Sequence, residues 1–141
     1  MNVKKEVDYL VDTYGTADPV SLIKETGAYI LDDVALPKST LGMTVSSYGQ
    51  TTLLISPSLE YPKKDFALAH ELGHIILHSG ESTTFFRRLE SSTQVSKLEA
   101  EANEFALALL LKKVDVSPGF NALDFVRSYQ LSDCMVNFIK P

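Results

Sequence analysis

The 141-residue chain has one cysteine, no tryptophan, and no apolar run of membrane-spanning length. Cys134 has no second cysteine to pair with, which excludes an internal disulfide framework and points to a reducing compartment. The longest apolar stretch, Phe105 to Leu111, stops at Lys112-Lys113, far short of the ~20 residues of a transmembrane helix. Acids interrupt the opening Met1-Asn2-Val3-Lys4-Lys5-Glu6-Val7-Asp8 before any apolar run, so no signal peptide is read there. These absences predict a cytoplasmic protein that inserts in no membrane. Positive charge is also scarce. Thirteen Lys+Arg stand against 18 Asp+Glu, a net charge of −5, and a pI near 5.1 argues against direct nucleic-acid binding.

What is present is an ordinary core composition, 45% hydrophobic residues with a mean hydropathy of +0.02. A chain of this length buries roughly two thirds of its unfolded surface, enough to fold without staples. No repeat, low-complexity tract or long linker divides it, so one domain is expected over 1–141.

Local patterning subdivides that domain. Val3, Val7, Leu10, Val11 and Tyr14 recur at helical spacing before Gly15, and Asp18-Pro19 reads as cap and first position of a second helix ending at Gly27. The region 1–27 is thus two helices. A small sheet is expected over 28–57, with strands at Ala28–Leu31, Leu41–Ser47 and Thr51–Ser56, the last two joined through Tyr48-Gly49-Gln50. Long helices are expected within 62–111, from about Lys63 to His78, closed by Ser79-Gly80, and from about Val95 to Leu111. The second carries Val95, Leu98, Ala102, Phe105 and Leu109 on one stripe. Between them, residues 81–94 read as a mobile surface loop rich in Ser and Thr. Two short helical segments, Ala122–Tyr129 and Ser132–Ile139, occupy 119–141, the latter capped by Ser132. Helices, then a small antiparallel sheet, then helices is an α+β order.

The first long helix contains His70-Glu71-Leu72-Gly73-His74. Positions four apart on a helix differ by about 40° in direction and ~6 Å in height, so both imidazoles project toward one ion. Neutral imidazole is a good zinc ligand, and two histidines leave the ion in need of a third protein ligand. Glu71 points about 100° from His70, beside the ion, where it suits a general base acting on water.

Glu99 and Glu101 on the second long helix are the candidates for that third ligand. Helical phase alone does not choose between them. The Glu99 side continues through Ala106 and Leu110 and carries Asn103, which favours Glu99 and gives Asn103 a supporting hydrogen bond to a ligand. His78 extends the four-residue spacing, but its Cα would lie about 12 Å along the axis from that of His70, too far to share one tetrahedral ion. It reads as a partly exposed histidine of the last helical turn.

The segments Asp65-Phe66-Ala67-Leu68-Ala69-His70-Glu71-Leu72-Gly73-His74-Ile75-Ile76-Leu77-His78 and Glu99-Ala100-Glu101-Ala102-Asn103-Glu104-Phe105-Ala106 resemble the ImmA/IrrE metallopeptidases of bacteria, phages and mobile elements. The resemblance is specific over 53–111 and loose elsewhere. It implies a zincin-like α+β fold with a metal-binding active-site helix. It further implies zinc held in gluzincin-like fashion by His70, His74 and Glu99, and Glu71 as catalytic base. The implied substrate is a helix-turn-helix transcriptional repressor. One departure is the end of the second helix, where Leu110-Leu111-Lys112-Lys113 stands in place of the common Leu-Leu-Met-Pro.

Two further expectations concern substrate. Thr51–Ser56 is read as a sheet edge beside which an extended polypeptide adds, and the 81–94 loop as a cover for the cleft. The rival from another class is a zinc-containing module that sequesters a repressor without cutting it; Glu71 speaks against that, since a structural zinc needs no adjacent base.

Overall fold

A computed structural model describes residues 2–78, 83–86 and 96–140. Helix α1 (Val3–Tyr14) starts where the Asn2 side chain accepts from Lys5 N–H and ends at Gly15, whose left-handed backbone returns its N–H to Val11. Helix α2 (Pro19–Glu25) is capped by Asp18, which accepts from Ser21 N–H. Strands β1 (Tyr29–Leu31), β2 (Thr40–Ser47) and β3 (Gln50–Ile55) follow, then helix α3 (Lys63–Leu77), strand β4 (Thr83–Phe86), helix α4 (Lys97–Leu111) and helix α5 (Ala122–Ser128). A 3-10 helix over Asp133–Phe138 completes the series.

The sheet is four-stranded, in the order β1-β3-β2-β4. Strands β2 and β3 form the expected hairpin. Ser47 pairs with Gln50 across the two-residue turn Tyr48-Gly49, both with positive φ, as a turn matching strand twist requires. Three expectations are corrected here. The sheet is mixed rather than antiparallel, because the long β1–β2 connection lets β1 cross to the far side of β3 and pair with it in parallel. As a result Thr51–Ser56 supplies no sheet edge: β3 is flanked on both sides, and the edges are β1 and β4. Part of the presumed surface loop is strand, since Thr83–Phe86 pairs antiparallel with β2. Residues 79–82 and 87–95, which include the rest of that loop, the Ser79-Gly80 stop and Val95, lie outside the described residues.

Helix α3 is the hub, touching β2, β3, β4, α2 and α4. Every residue from Phe66 to His74 is buried, so this helix has no solvated face over that stretch. Phe66, Leu68 and Leu72 join Phe105, Leu107, Leu109 and Leu110 of α4 in one cluster that extends from Val3 to Met135. Each such side chain contributes roughly 1.5–3 kcal/mol by leaving water.

Helices α3 and α4 run antiparallel: Asp65 near the start of α3 pairs with Lys113 just past the end of α4, and His78 just past α3 pairs with Glu101 near the start of α4. They approach closely at Gly73, where an added Cβ would stand 3.1 Å from Phe105 Cβ. The buried face of α4 is broader than the stripe read from sequence and displaced from it: Leu98 is exposed, while Glu99, Asn103, Ala106 and Leu110 are buried. Packing against both α1 and α3 widens that face. At the other end, the short helical segment expected over Ser132–Ile139 is the 3-10 helix Asp133–Phe138, but Ser132 makes no capping hydrogen bond through its side chain. Met135 anchors the segment in the core. No helix among the described residues is long and apolar enough to cross a membrane.

Candidate metal centre

The enclosure of α3 removes His70, Glu71 and His74 almost completely from solvent. Ionisable groups so placed need partners, because burying one unpaired is expensive. The partners come from β2, from α4 and from the residue that ends α3.

His70 has its Nδ1 2.9 Å from Asn103 Oδ1 and its Nε2 2.9 Å from Glu99 Oε2. The amide oxygen accepts from Nδ1–H, which turns Nε2 toward Glu99. The second oxygen of the same carboxylate, Oε1, lies 3.0 Å from His74 Nε2. That contact lacks hydrogen-bond geometry, so His74 Nε2 is a buried nitrogen with no hydrogen-bond partner. Glu99 thus bridges the two imidazoles. It stands in the first turn of α4, which begins where Ser96 Oγ accepts from Glu99 N–H, and the helix N-terminus favours a carboxylate there.

Glu71 sits to one side. Its Oε1 accepts a 2.6 Å hydrogen bond from Thr44 Oγ1, while Oε2 is buried, without a hydrogen-bond partner, and 3.9 Å from His70 Nε2. Room for it is left by Gly42, where an added Cβ would come within 3.5 Å of Glu71 Cγ. Gly42 and Thr44 are two apart on β2, on the same buried face.

The charges respond to this packing in opposite ways. Burial pushes the Glu71 carboxyl up to about 7 despite the opposing pull of His70 and Thr44. Burial would raise Glu99 as well, but the close approach of the His70 and His74 rings to its two oxygens outweighs it and brings the carboxyl down to about 2. Burial likewise opposes charge on His70, yet Glu99, Glu71 and Asn103 together leave its pKa raised. His74 goes the other way, lowered by burial and by its neighbours His70 and His78 in spite of Glu99.

The donor set suits a divalent ion. Nitrogen or oxygen atoms of His70, Glu71 and His74 lie within 4.8 Å of one another. Two imidazoles and a carboxylate bind zinc at about 2.0–2.2 Å, and the orphaned His74 Nε2 gains a partner when an ion is present.

Sequence reasoning missed two participants and misread a third. Thr44 carried no motif; only its period-2 alternation with Gly42 marks it as inward-facing. Glu101 was considered solely as a ligand, whereas its Oε1 lies 3.0 Å from His78 Nε2. His78 is not a partly exposed residue of the last turn. It is buried at the C-cap of α3, with its Nδ1 2.9 Å from His74 Nδ1.

Two histidines four apart on one helix, a glutamate beside the first and a carboxylate from a neighbouring helix form the arrangement of a class of metallopeptidases. Comparison with known proteins narrows the class. The family model described as the IrrE N-terminal-like domain matches residues 25–124. The chain is 31% identical over 112 residues to uncharacterized immunity region protein 2 of Bacillus phage phi105, covering 77% of this chain and 68% of that protein. It is 27% identical over 146 residues to metallopeptidase ImmA of Bacillus subtilis (strain 168), covering 92% and 84% respectively. No solved structure gives a significant match. The chain belongs to the ImmA/IrrE family of metallopeptidases.

Proposed function

We propose that this chain is a zinc-dependent endopeptidase, a single zincin-like domain over 1–141, which cleaves a helix-turn-helix transcriptional repressor. His70, His74 and Glu99 hold the zinc, and Glu71 is the base. The observation that carries this reading is the convergence of His70 Nε2 and His74 Nε2 on the two oxygens of Glu99, with the unpartnered Oε2 of Glu71 alongside. These groups would hold zinc, which when bound would supply an acidified water and polarisation of a scissile carbonyl.

The protein's own residues do the rest. Thr44 Oγ1 holds Oε1 of Glu71, which leaves Oε2 as the oxygen that takes a proton from water and hands it to the departing amine nitrogen. Burial raises the proton affinity of this carboxyl in the metal-free protein, which helps it take up a proton as well as release one, the two halves of that transfer. Asn103 accepts from His70 Nδ1–H, so Nε2 is the nitrogen that would hold the zinc. Phe66 packs beside the His70 ring, centroids 5.9 Å apart, and the burial of His70, Glu71 and His74 excludes bulk water and strengthens each of these interactions.

The repressor substrate is supported by the family resemblance and by the phage relative, which is named for an immunity region. A net charge of −5 also suits a partner with a basic DNA-binding face. Such a substrate entails action in the cytoplasm. The test is incubation of the zinc-loaded protein with a helix-turn-helix repressor encoded beside its gene. Two fragments whose masses sum to the repressor plus one water, absent when a chelator is added, support the reading. A repressor bound but intact favours the sequestering module instead.

A further inference from the structure

With His74 and His78 neutral, the contacts beyond the donor atoms form a directed chain. Glu101 Oε1 lies 3.0 Å from His78 Nε2, and His78 Nδ1 lies 2.9 Å from His74 Nδ1. A carboxylate only accepts, so His78 Nε2 carries the hydrogen. A neutral imidazole has one N–H, so His78 Nδ1 is then bare. Two ring nitrogens 2.9 Å apart share one hydrogen, which therefore sits on His74 Nδ1. His74 Nε2 is left bare, 3.0 Å from Glu99 Oε1 and without a hydrogen-bond partner.

We infer that His78 and Glu101 are a positioning pair that fixes His74 as an Nε2 donor toward the metal centre. The inference rests on the zinc site described above. It gives His74 the counterpart of what Asn103 gives His70: in each case a residue beyond the donor atoms takes the Nδ1 hydrogen. Both arrangements originate in α4, directly through Asn103 and at one remove through Glu101. The His78 side chain is 4% exposed and that of Glu101 17%, so the chain is sheltered from the water that would otherwise compete for it. The position of His78 at the C-cap, φ −127° and ψ 47°, turns its ring back over His74, with ring centroids 5.1 Å apart.

Partners of this kind hold a ligand's ring orientation and tautomer, and their loss costs about 10–100-fold in metal affinity. The test combines zinc affinity by chelator competition with long-range 1H–15N NMR of the histidine rings in the metal-free and zinc-loaded protein. His78→Phe keeps the ring volume and removes the acceptor; Glu101→Leu removes the far end, and Glu101→Gln keeps an accepting oxygen. The expected result is His74 protonated on Nδ1 and His78 on Nε2 in the wild type. His78→Phe and Glu101→Leu should each weaken zinc binding about 10–100-fold and mix the His74 tautomers, with Glu101→Gln near wild type. The double variant should bind no more weakly than His78→Phe alone, because Glu101 acts through His78. Should His78→Phe fail to fold, the Glu101 pair of variants decides. Wild-type affinity in both His78→Phe and Glu101→Leu overturns the inference, as does His78 protonated on Nδ1. A wild type that takes up no zinc yet shows these tautomers contradicts the zinc site and leaves the hydrogen-bond chain standing.

Discussion

Thr44 Oγ1 and Glu71 Oε1 lie 2.6 Å apart, joining β2 to α3 by a buried hydrogen bond between residues 27 positions apart in sequence. The contact favours the ionised form of a carboxyl that burial otherwise keeps protonated. Removing it in Thr44→Val should raise the Glu71 pKa further. A hydrogen bond to a charged group contributes about 1.5–3 kcal/mol, so the acid limb of the kcat/KM profile should move up by roughly 1–2 pH units. An unmoved limb would show that another group controls it.

Glu99 bridges His70 and His74, and its Ala variant removes both contacts at once. Zinc affinity should fall by more than about 100-fold, beyond the loss expected at supporting residues. Chelator competition measures this. A modest loss at Glu99 with a larger one at Glu101 would transfer the third-ligand role.

Burial of Glu71 also makes a pH signature in the metal-free protein. Its folded value of about 7 lies above the ordinary 4.5, so the stabilising contribution is fully present below pH 4.5 and is lost as pH rises through about 7. Between pH 5 and 8 the wild type should lose up to about 3 kcal/mol relative to Glu71→Gln. Urea unfolding midpoints at the two pH values, taken with chelator present, give the difference. Parallel pH dependence in both proteins would rule out a neutral buried Glu71.

Helices α3 and α4 come close at Gly73, where an added Cβ would meet Phe105 Cβ, Cγ and Cδ1 at 3.1–3.2 Å. Phe105 Cβ is fixed to its own helix and cannot swing away. Gly73→Val should therefore destabilise the fold by about 1–3 kcal/mol and loosen the grip of Glu99 on the histidines. Gly73→Ala should be nearer neutral, because a helix-propensity gain of about 1 kcal/mol opposes the crowding. Denaturation curves separate these outcomes. Stability unchanged in Gly73→Val would mean that the helix seam tolerates expansion.

The local elements and the shared helix face of His70 and His74 were legible because local rules govern them, whereas Glu99 is favoured through its neighbours Asn103, Ala106 and Leu110 and reaches the histidines by the packing of α4 on α3. The cap at Asp18, the turn through Tyr48-Gly49 and the four-residue histidine spacing each act within one or two turns of chain. The parallel pairing of β1 with β3, and the strand at Thr83–Phe86, depend on where long connections lead, which local alternation does not encode. His78 and Glu101 were judged one at a time against a single question, whether each touches the ion. Their relation to each other appears only when α3 and α4 are packed antiparallel. Thr44 was hidden for the same reason, since its partner arrives from another layer.

The central claim is that Glu71 performs hydrolysis at a metal held by His70, His74 and Glu99. Its most direct measurement is the intact mass of a partner repressor after incubation with wild-type or Glu71→Gln protein of equal zinc content. Cleavage by the wild type, with zinc retained and cleavage lost by at least about 100-fold in the variant, is the predicted result. Equal cleavage by both proteins, or an intact repressor bound by both, would contradict it.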